Sequence, residues 1–194
     1  MHATQVLRDE HEGILAMLAV LEAAAYRARE GQSVPASLFV DAFGFFRNFA
    51  DKCHHGKEEA QLFPKLVERG IPNEGGPVGM MLAEHVQGRA FVRGIGEAGE
   101  RYAKGDQAAV PDLVKNSLGY VRLLRQHIDK ENGVLFQMAD AVLSDAEQRQ
   151  LYAAFEQIEA NEMGPGVHER YHAMIGEYQK LAAEWERAPA QVHC

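Results

Sequence analysis

Two phrases in this sequence place the same donor groups at the same offsets. Residues 54–64 read HHGKEEAQLFP and residues 127–137 read HIDKENGVLFQ, so Glu58 follows His54 by four positions just as Glu131 follows His127. Four residues is about one helical turn, which stacks each imidazole and its carboxylate on one face. An imidazole and a carboxylate held together are a donor set suited to a transition metal. Two such helices facing one another would share one metal site.

The repeat is longer than this phrase. His11 follows Glu10 and His85 follows Glu84, and the interval from His11 to His85 matches that from His54 to His127 to within one residue. The order is a His helix, a His-x-x-x-Glu helix, then the same again. Doubling a helix pair is a natural way to build a four-helix bundle with a near-symmetric centre.

The elements needed to hold these residues are legible in the apolar periodicity, which recurs at three and four with almost no β-branched alternation. A first helix is expected from a cap at Thr4 to about Glu30, with His11 inside the stripe Leu7, Ile14, Leu18 and Leu21. A second opens at a Ser33 cap with Pro35 in its first turn, carries Phe39, Phe43, Phe46, His54, Glu58 and Leu62, and ends at Gly70 and Pro72. A third starts near Pro77 and carries His85; its glycines 88, 94, 96 and 99 lower helix propensity, and close packing would explain some of them. A fourth begins around Pro111 and carries Val121, Leu124, His127, Glu131 and Leu135. Ser144 and Glu147 form a capping box that opens a fifth helix to about Ala160. A turn at 161–166 and a last amphipathic helix to about Arg187 follow. The expected architecture is all-α: an up-down four-helix bundle over residues 1–143, with residues 144–194 forming two additional C-terminal helices.

All six donors (His11, His54, Glu58, His85, His127 and Glu131) fall on apolar stripes. An unpartnered polar side chain in a core costs roughly 1–3 kcal/mol. Six of them would rival the whole stability of many domains, about 5–15 kcal/mol. A shared metal cluster resolves the conflict. Four imidazoles and two carboxylates are too many for one tetrahedral zinc and suit two ions bridged by the carboxylates. No thiolate recurs, which argues against zinc–thiolate and iron–sulfur sites. Iron, manganese and zinc are all compatible with the donors.

With these residues in view, the sequence resembles the hemerythrin-like (HHE cation-binding) family, a four-helix bundle around a non-haem di-iron centre. The matching motifs are His11-Glu12, HHGKEEAQLFP, EHVQGR and HIDKEN followed by LF, between about residues 4 and 138. The resemblance implies that the six donors ligate two iron ions, with Glu58 and Glu131 bridging them beside an oxo or hydroxo group. It also implies a small diatomic or peroxide ligand and a role in oxygen, iron or oxidative and nitrosative stress handling. One departure is specific. Oxygen-carrying members have a fifth histidine one turn after the third-helix ligand, where this chain has Arg89. The ligand set with a solvent bridge then fills about ten of about twelve positions, leaving one open on each iron.

Three readings therefore stand: a di-iron protein that binds oxygen, nitric oxide or peroxide; a di-iron enzyme that turns over peroxide or nitric oxide; and an iron- or oxygen-sensing module with the helices after Ser144 as readout. A net charge of −8 argues against nucleic acid and anionic membranes as partners. No run of about eighteen apolar residues predicts a membrane span, no signal peptide is visible, and two cysteines make no disulfide framework. A cytoplasmic location is expected. Among the remaining residues, His55 and Glu59 sit about 100° around the helix from a ligand and are read as facing solvent or standing behind the ligands. Glu10 and Glu84 are placed near the bundle surface, Cys53 as a small buried hydrophobe, and Tyr120 as core. His168 and His172 share a helix face and are read as partly exposed residues over the bundle end.

Overall fold

Apolar residues repeating at three and four build six long helices, and no strand occurs among the described residues. The computed structural model describes residues 2–164 and 166–187; Pro165 and Cys194 lie outside them. Helix α1 is Ala3–Arg29, α2 spans residues 36–68, α3 is Pro77–Ala103, α4 spans residues 110–142, α5 is Asp145–Glu162 and α6 is Val167–Arg187. Helices α1 to α4 form the up-and-down bundle, and α5 and α6 pack against α1. No described helix is long and apolar enough to cross a membrane.

The helix ends follow local chemistry with two exceptions. Ser144 and Glu147 form the expected reciprocal capping box. Pro77 takes the first position of α3, where its missing N–H is no loss. Gly70 closes α2 at φ 88°, a conformation that other residues adopt with strain. Thr4, expected as a cap, lies inside α1, and its hydroxyl donates to Asp140 at 2.6 Å. The free N–H at that terminus, on Ala3, instead donates to Gln148 Oε1 of α5 at 2.9 Å. Ser33 likewise does not cap α2, which begins after Pro35.

Three stretches depart from α-helical winding. In α2, Phe46–His55 and Glu58–Leu62 are π-helical, and in α4 the same is true of Glu131–Leu135. A π turn bonds each N–H one residue further back than an α turn, so it takes more residues and re-aims the side chains that follow. The segments starting at Glu58 and at Glu131 are counterparts in the repeat. The longer one, Phe46–His55, has no counterpart in α4.

The core is divided in two. One apolar cluster includes Ile14, Leu18, Leu21, Phe39, Phe46, Val92, Leu124 and Ile128. The other includes Leu7, Leu62, Leu66, Met81, Leu135, Phe136 and Leu151. Between them, along each bundle helix, lies one buried histidine or more. Close packing explains Gly96, one costly glycine of α3: a Cβ there would come within 2.7 Å of the Phe43 ring, so the glycine lets α2 and α3 approach closely at this level.

Candidate metal centre

The four bundle helices bring His11, His54, Glu58, His85, His127 and Glu131 together in the layer between the two apolar clusters. None is more than 1% exposed. The carboxylates lie in the middle and divide their oxygens. Glu58 Oε1 lies 3.7 Å from His54 Nε2, and its Oε2 lies 3.4 Å from His85 Nε2. Glu131 Oε2 lies 3.2 Å from His11 Nε2, and its Oε1 lies 3.3 Å from His127 Nε2. Each carboxylate thus faces two histidine groups, His11 with His54 on one side and His85 with His127 on the other.

The donors fit metal ions on several grounds. Both oxygens of Glu58, both oxygens of Glu131 and Nε2 of His11 are buried without a hydrogen-bond partner. Such atoms are costly in a core unless something absent from the protein chain satisfies them. His85 Nε2 and His127 Nε2 are 3.1 Å apart. Two nitrogens at right angles about one ion, each about 2.1 Å from it, would stand about 3 Å apart. Ligand atoms of His11, His54, Glu58 and Glu131 all lie within 4.8 Å of one another, as do those of a second group, His55, Glu58, His85 and His127.

His55 was not expected there. A step of 100° from His54 along an α-helix would turn it away from the centre, but it ends the unmatched π-helical stretch of α2 and is only 3% exposed. Its ring is stacked on His85 at a centroid distance of 3.8 Å. The pair His54-His55 was the visible signal, and the change in helical winding was not.

Behind the imidazoles a second set of residues repeats with the same symmetry. His54 Nδ1 donates to Glu10 at 2.8 Å, and Lys57 donates to the other Glu10 oxygen. His127 Nδ1 donates to Glu84 at 3.0 Å, and Lys130 donates to the other Glu84 oxygen. His11 Nδ1 donates to Asn132 at 3.0 Å, and His85 Nδ1 to Glu59 at 2.7 Å. In a neutral imidazole an acceptor on Nδ1 leaves Nε2 unprotonated and aimed inward, which is how metal-binding histidines are commonly oriented. Glu10 is therefore not near the surface as expected but 6% exposed, the partner of His54. Glu59 stands behind His85, as read.

Electrostatics follow from burial and pairing. Burial lowers His54 to about 4, keeping the imidazole neutral. Burial opposes a charge on His127, but Glu131 and Glu84 outweigh it and raise that group to about 9. Burial, followed by the charge of Glu131, pushes Glu58 well above the usual carboxyl range. Burial works the same way on Glu131, but His127 and His11 outweigh it and hold that carboxyl well below the range.

The remaining candidates fall outside the cluster. Burial pushes the Cys53 thiol up to about 12, which leaves it protonated and packed as a small hydrophobe. Tyr120 packs edge-on against Phe46 and also lines a cavity of about 400 Å³ with Arg47, Asp51, His55 and Arg89. His168 and His172 lie 5.0 Å apart on α6, His168 against Phe49, and belong to no metal-holding group among the described residues.

A helical bundle with paired histidines and split carboxylates at its centre defines a class of cation-binding protein. The family model for the hemerythrin HHE cation binding domain matches residues 2–139, and the chain belongs to that family. Similar curated sequences are uncharacterized proteins of Mycobacterium bovis and Mycobacterium tuberculosis, each 25% identical over 162 residues. The match covers 84% of this chain and 63% of the relative, so the chain spans less than two thirds of the length of these proteins. No solved structure matches it significantly.

Proposed function

We propose that this protein is a non-haem di-iron protein that binds dioxygen, or nitric oxide or peroxide, in the handling of oxygen, iron or oxidative and nitrosative stress. The observation that carries this reading is the division of two buried carboxylates between two histidine groups. Glu58 and Glu131 would bridge the ions, His11 and His54 would hold one, and His85 and His127 would hold the other. A carboxylate-bridged iron pair supplies two electrons at one place, which suits reaction with dioxygen, nitric oxide or peroxide. The chain's own part is orientation and exclusion of water. Glu10, Asn132, Glu59 and Glu84 fix the rings, and Leu62, Leu135 and Phe46, each at most 1% exposed, close the site.

Iron-loaded, oxidised protein should show the near-ultraviolet and visible bands of a bridged ferric pair, and azide should shift them. Bands insensitive to azide would contradict a ligand-accessible centre. Sustained oxygen evolution from peroxide would identify an enzyme, whereas a single turnover would identify a binding protein.

A sensing role is favoured by one contact. Glu159 of α5 meets Lys57 at 3.0 Å, and Lys57 in turn holds Glu10 behind His54. The C-terminal helices are thus joined to a candidate ligand by a continuous polar chain, so metal loading would be felt at α5. Iron-dependent protection of α5 from limited proteolysis supports this role, and an identical cleavage pattern with and without iron removes it.

A further inference from the structure

A fifth buried imidazole, His55 of α2, lies next to the centre, and Arg89 stands one turn after His85 on α3. His55 is buried, and neither of its ring nitrogens has a hydrogen-bond partner. One ring nitrogen lies in the group formed with Glu58, His85 and His127. Its Nδ1 faces Asp51 Oδ1 at 3.5 Å. The other four histidines each have an acceptor hydrogen-bonded to Nδ1 at 2.7–3.0 Å; the Asp51 carboxylate stands at the corresponding place behind His55, at a longer distance. Arg89, one turn after His85, donates to Asp51 at 2.7 Å and to Glu59 at 2.6 Å. A single guanidinium therefore holds both Asp51, which faces His55, and Glu59, the acceptor behind His85, using the planar fork that lysine lacks.

The repeat shows that this arrangement occurs on one side alone. The counterpart of His55 is Ile128, that of Asp51 is Leu124, that of Glu59 is Asn132, and that of Arg89 is Leu15. One half of the centre is backed by an imidazole, two carboxylates and a guanidinium. At the corresponding sequence positions of the other half stand three aliphatic side chains and one amide.

We infer that His55 is a fifth metal-facing ligand and that Arg89 is the positioning residue that secures it, so that the two metal positions are unequal. This rests on the two-metal reading above. His55, His85 and His127 serve one ion; His11 and His54 serve the other. With both carboxylates and a solvent bridge, about eleven of about twelve positions are filled. The one open position falls to the ion held by His11 and His54. This replaces the sequence expectation of one open position on each ion.

The test is proton NMR of protein loaded anaerobically with cobalt(II). Each ligating imidazole contributes one strongly shifted, solvent-exchangeable N–H resonance. Wild type should take up two ions and show five such resonances, and His55→Ile, which puts the residue of the other repeat at this position, should show four. Arg89→Leu should weaken one of the two binding steps about 10- to 100-fold and move the resonances of His55 and His85 while leaving the other three in place. Arg89→Lys, able to reach one carboxylate at a time, should fall between. Two bound ions with four resonances in wild type overturn the role of His55 without any variant. A uniform shift of all five in Arg89→Leu assigns Arg89 to structure alone and overturns its positioning role. Uptake of fewer than two ions by wild type overturns the two-metal reading itself.

Discussion

Glu58→Leu should abolish metal uptake and at the same time make the metal-free protein more stable. Glu58 is completely buried, both of its oxygens lack partners, and it faces His54 on one side and His85 on the other. Without metal it is a carboxyl pushed well above its usual range by burial and by Glu131, an arrangement that opposes folding. A buried polar group left unsatisfied costs about 1–3 kcal/mol, and replacement by an apolar residue of similar size removes that cost. The metal-free variant should therefore melt several degrees above metal-free wild type, since about 1 kcal/mol corresponds to about 2–4 °C in a chain of this size. Wild type should recover the difference on adding metal, because a ligand present at about 1,000 times its Kd stabilises by about 4 kcal/mol. Thermal unfolding of both proteins with and without cobalt(II) checks this. A Glu58→Leu protein that still gains stability from metal would show that Glu58 does not join the ions. Such opposed effects on stability and binding are expected where function places polar groups in a core.

Lys57→Met should be far more damaging than Lys130→Met, although the two lysines are counterparts in the repeat. Each follows its histidine by three residues and donates to the carboxylate behind that histidine. Their surroundings differ. Lys57 is 0% exposed and sits between Glu10 and Glu159, whereas the Lys130 side chain is 36% exposed. Burial works against the Lys57 ammonium, but the charge of Glu10 outweighs it and raises the group to about 12. Removing Lys57 leaves Glu10 buried without its cation, a loss of about 3–5 kcal/mol for a buried pair. Removing Lys130 exposes Glu84 to water and should cost about 1 kcal/mol or less. Urea unfolding of the metal-free proteins measures both losses. Equal losses would mean that the Lys57–Glu10–Glu159 chain adds nothing beyond a surface pair.

Much of the centre was legible because chemistry repeats in this sequence. Six polar residues on apolar stripes, at mirrored intervals, mark one buried cluster before any helix is placed, and the capping box at Ser144 marks the extra helices. The lysines and glutamates behind the ligands repeat as strictly: Glu10 and Glu84 each precede a histidine, and Lys57 and Lys130 each follow one by three. Extending the comparison to them would have moved Glu10 from the surface to His54. His55 was hidden for a different reason. A periodicity of 3.6 residues turns it away from the centre, and the π-helical winding of Phe46–His55 that brings it back depends on how α2 packs, not on a residue pattern. The expected cap at Thr4 failed because a tertiary partner satisfies that end, with Gln148 reaching Ala3 from more than a hundred residues away, and the cap at Ser33 failed because α2 begins only after Pro35.

The proposed function rests on two ions sharing Glu58 and Glu131 inside this bundle. Mössbauer spectroscopy of metal-free protein reconstituted with iron-57, combined with iron analysis, addresses it directly. Two irons per chain, forming one antiferromagnetically coupled ferric pair after oxidation, are the predicted result. One iron per chain, or an uncoupled high-spin ferric signal accounting for all the metal, would contradict it.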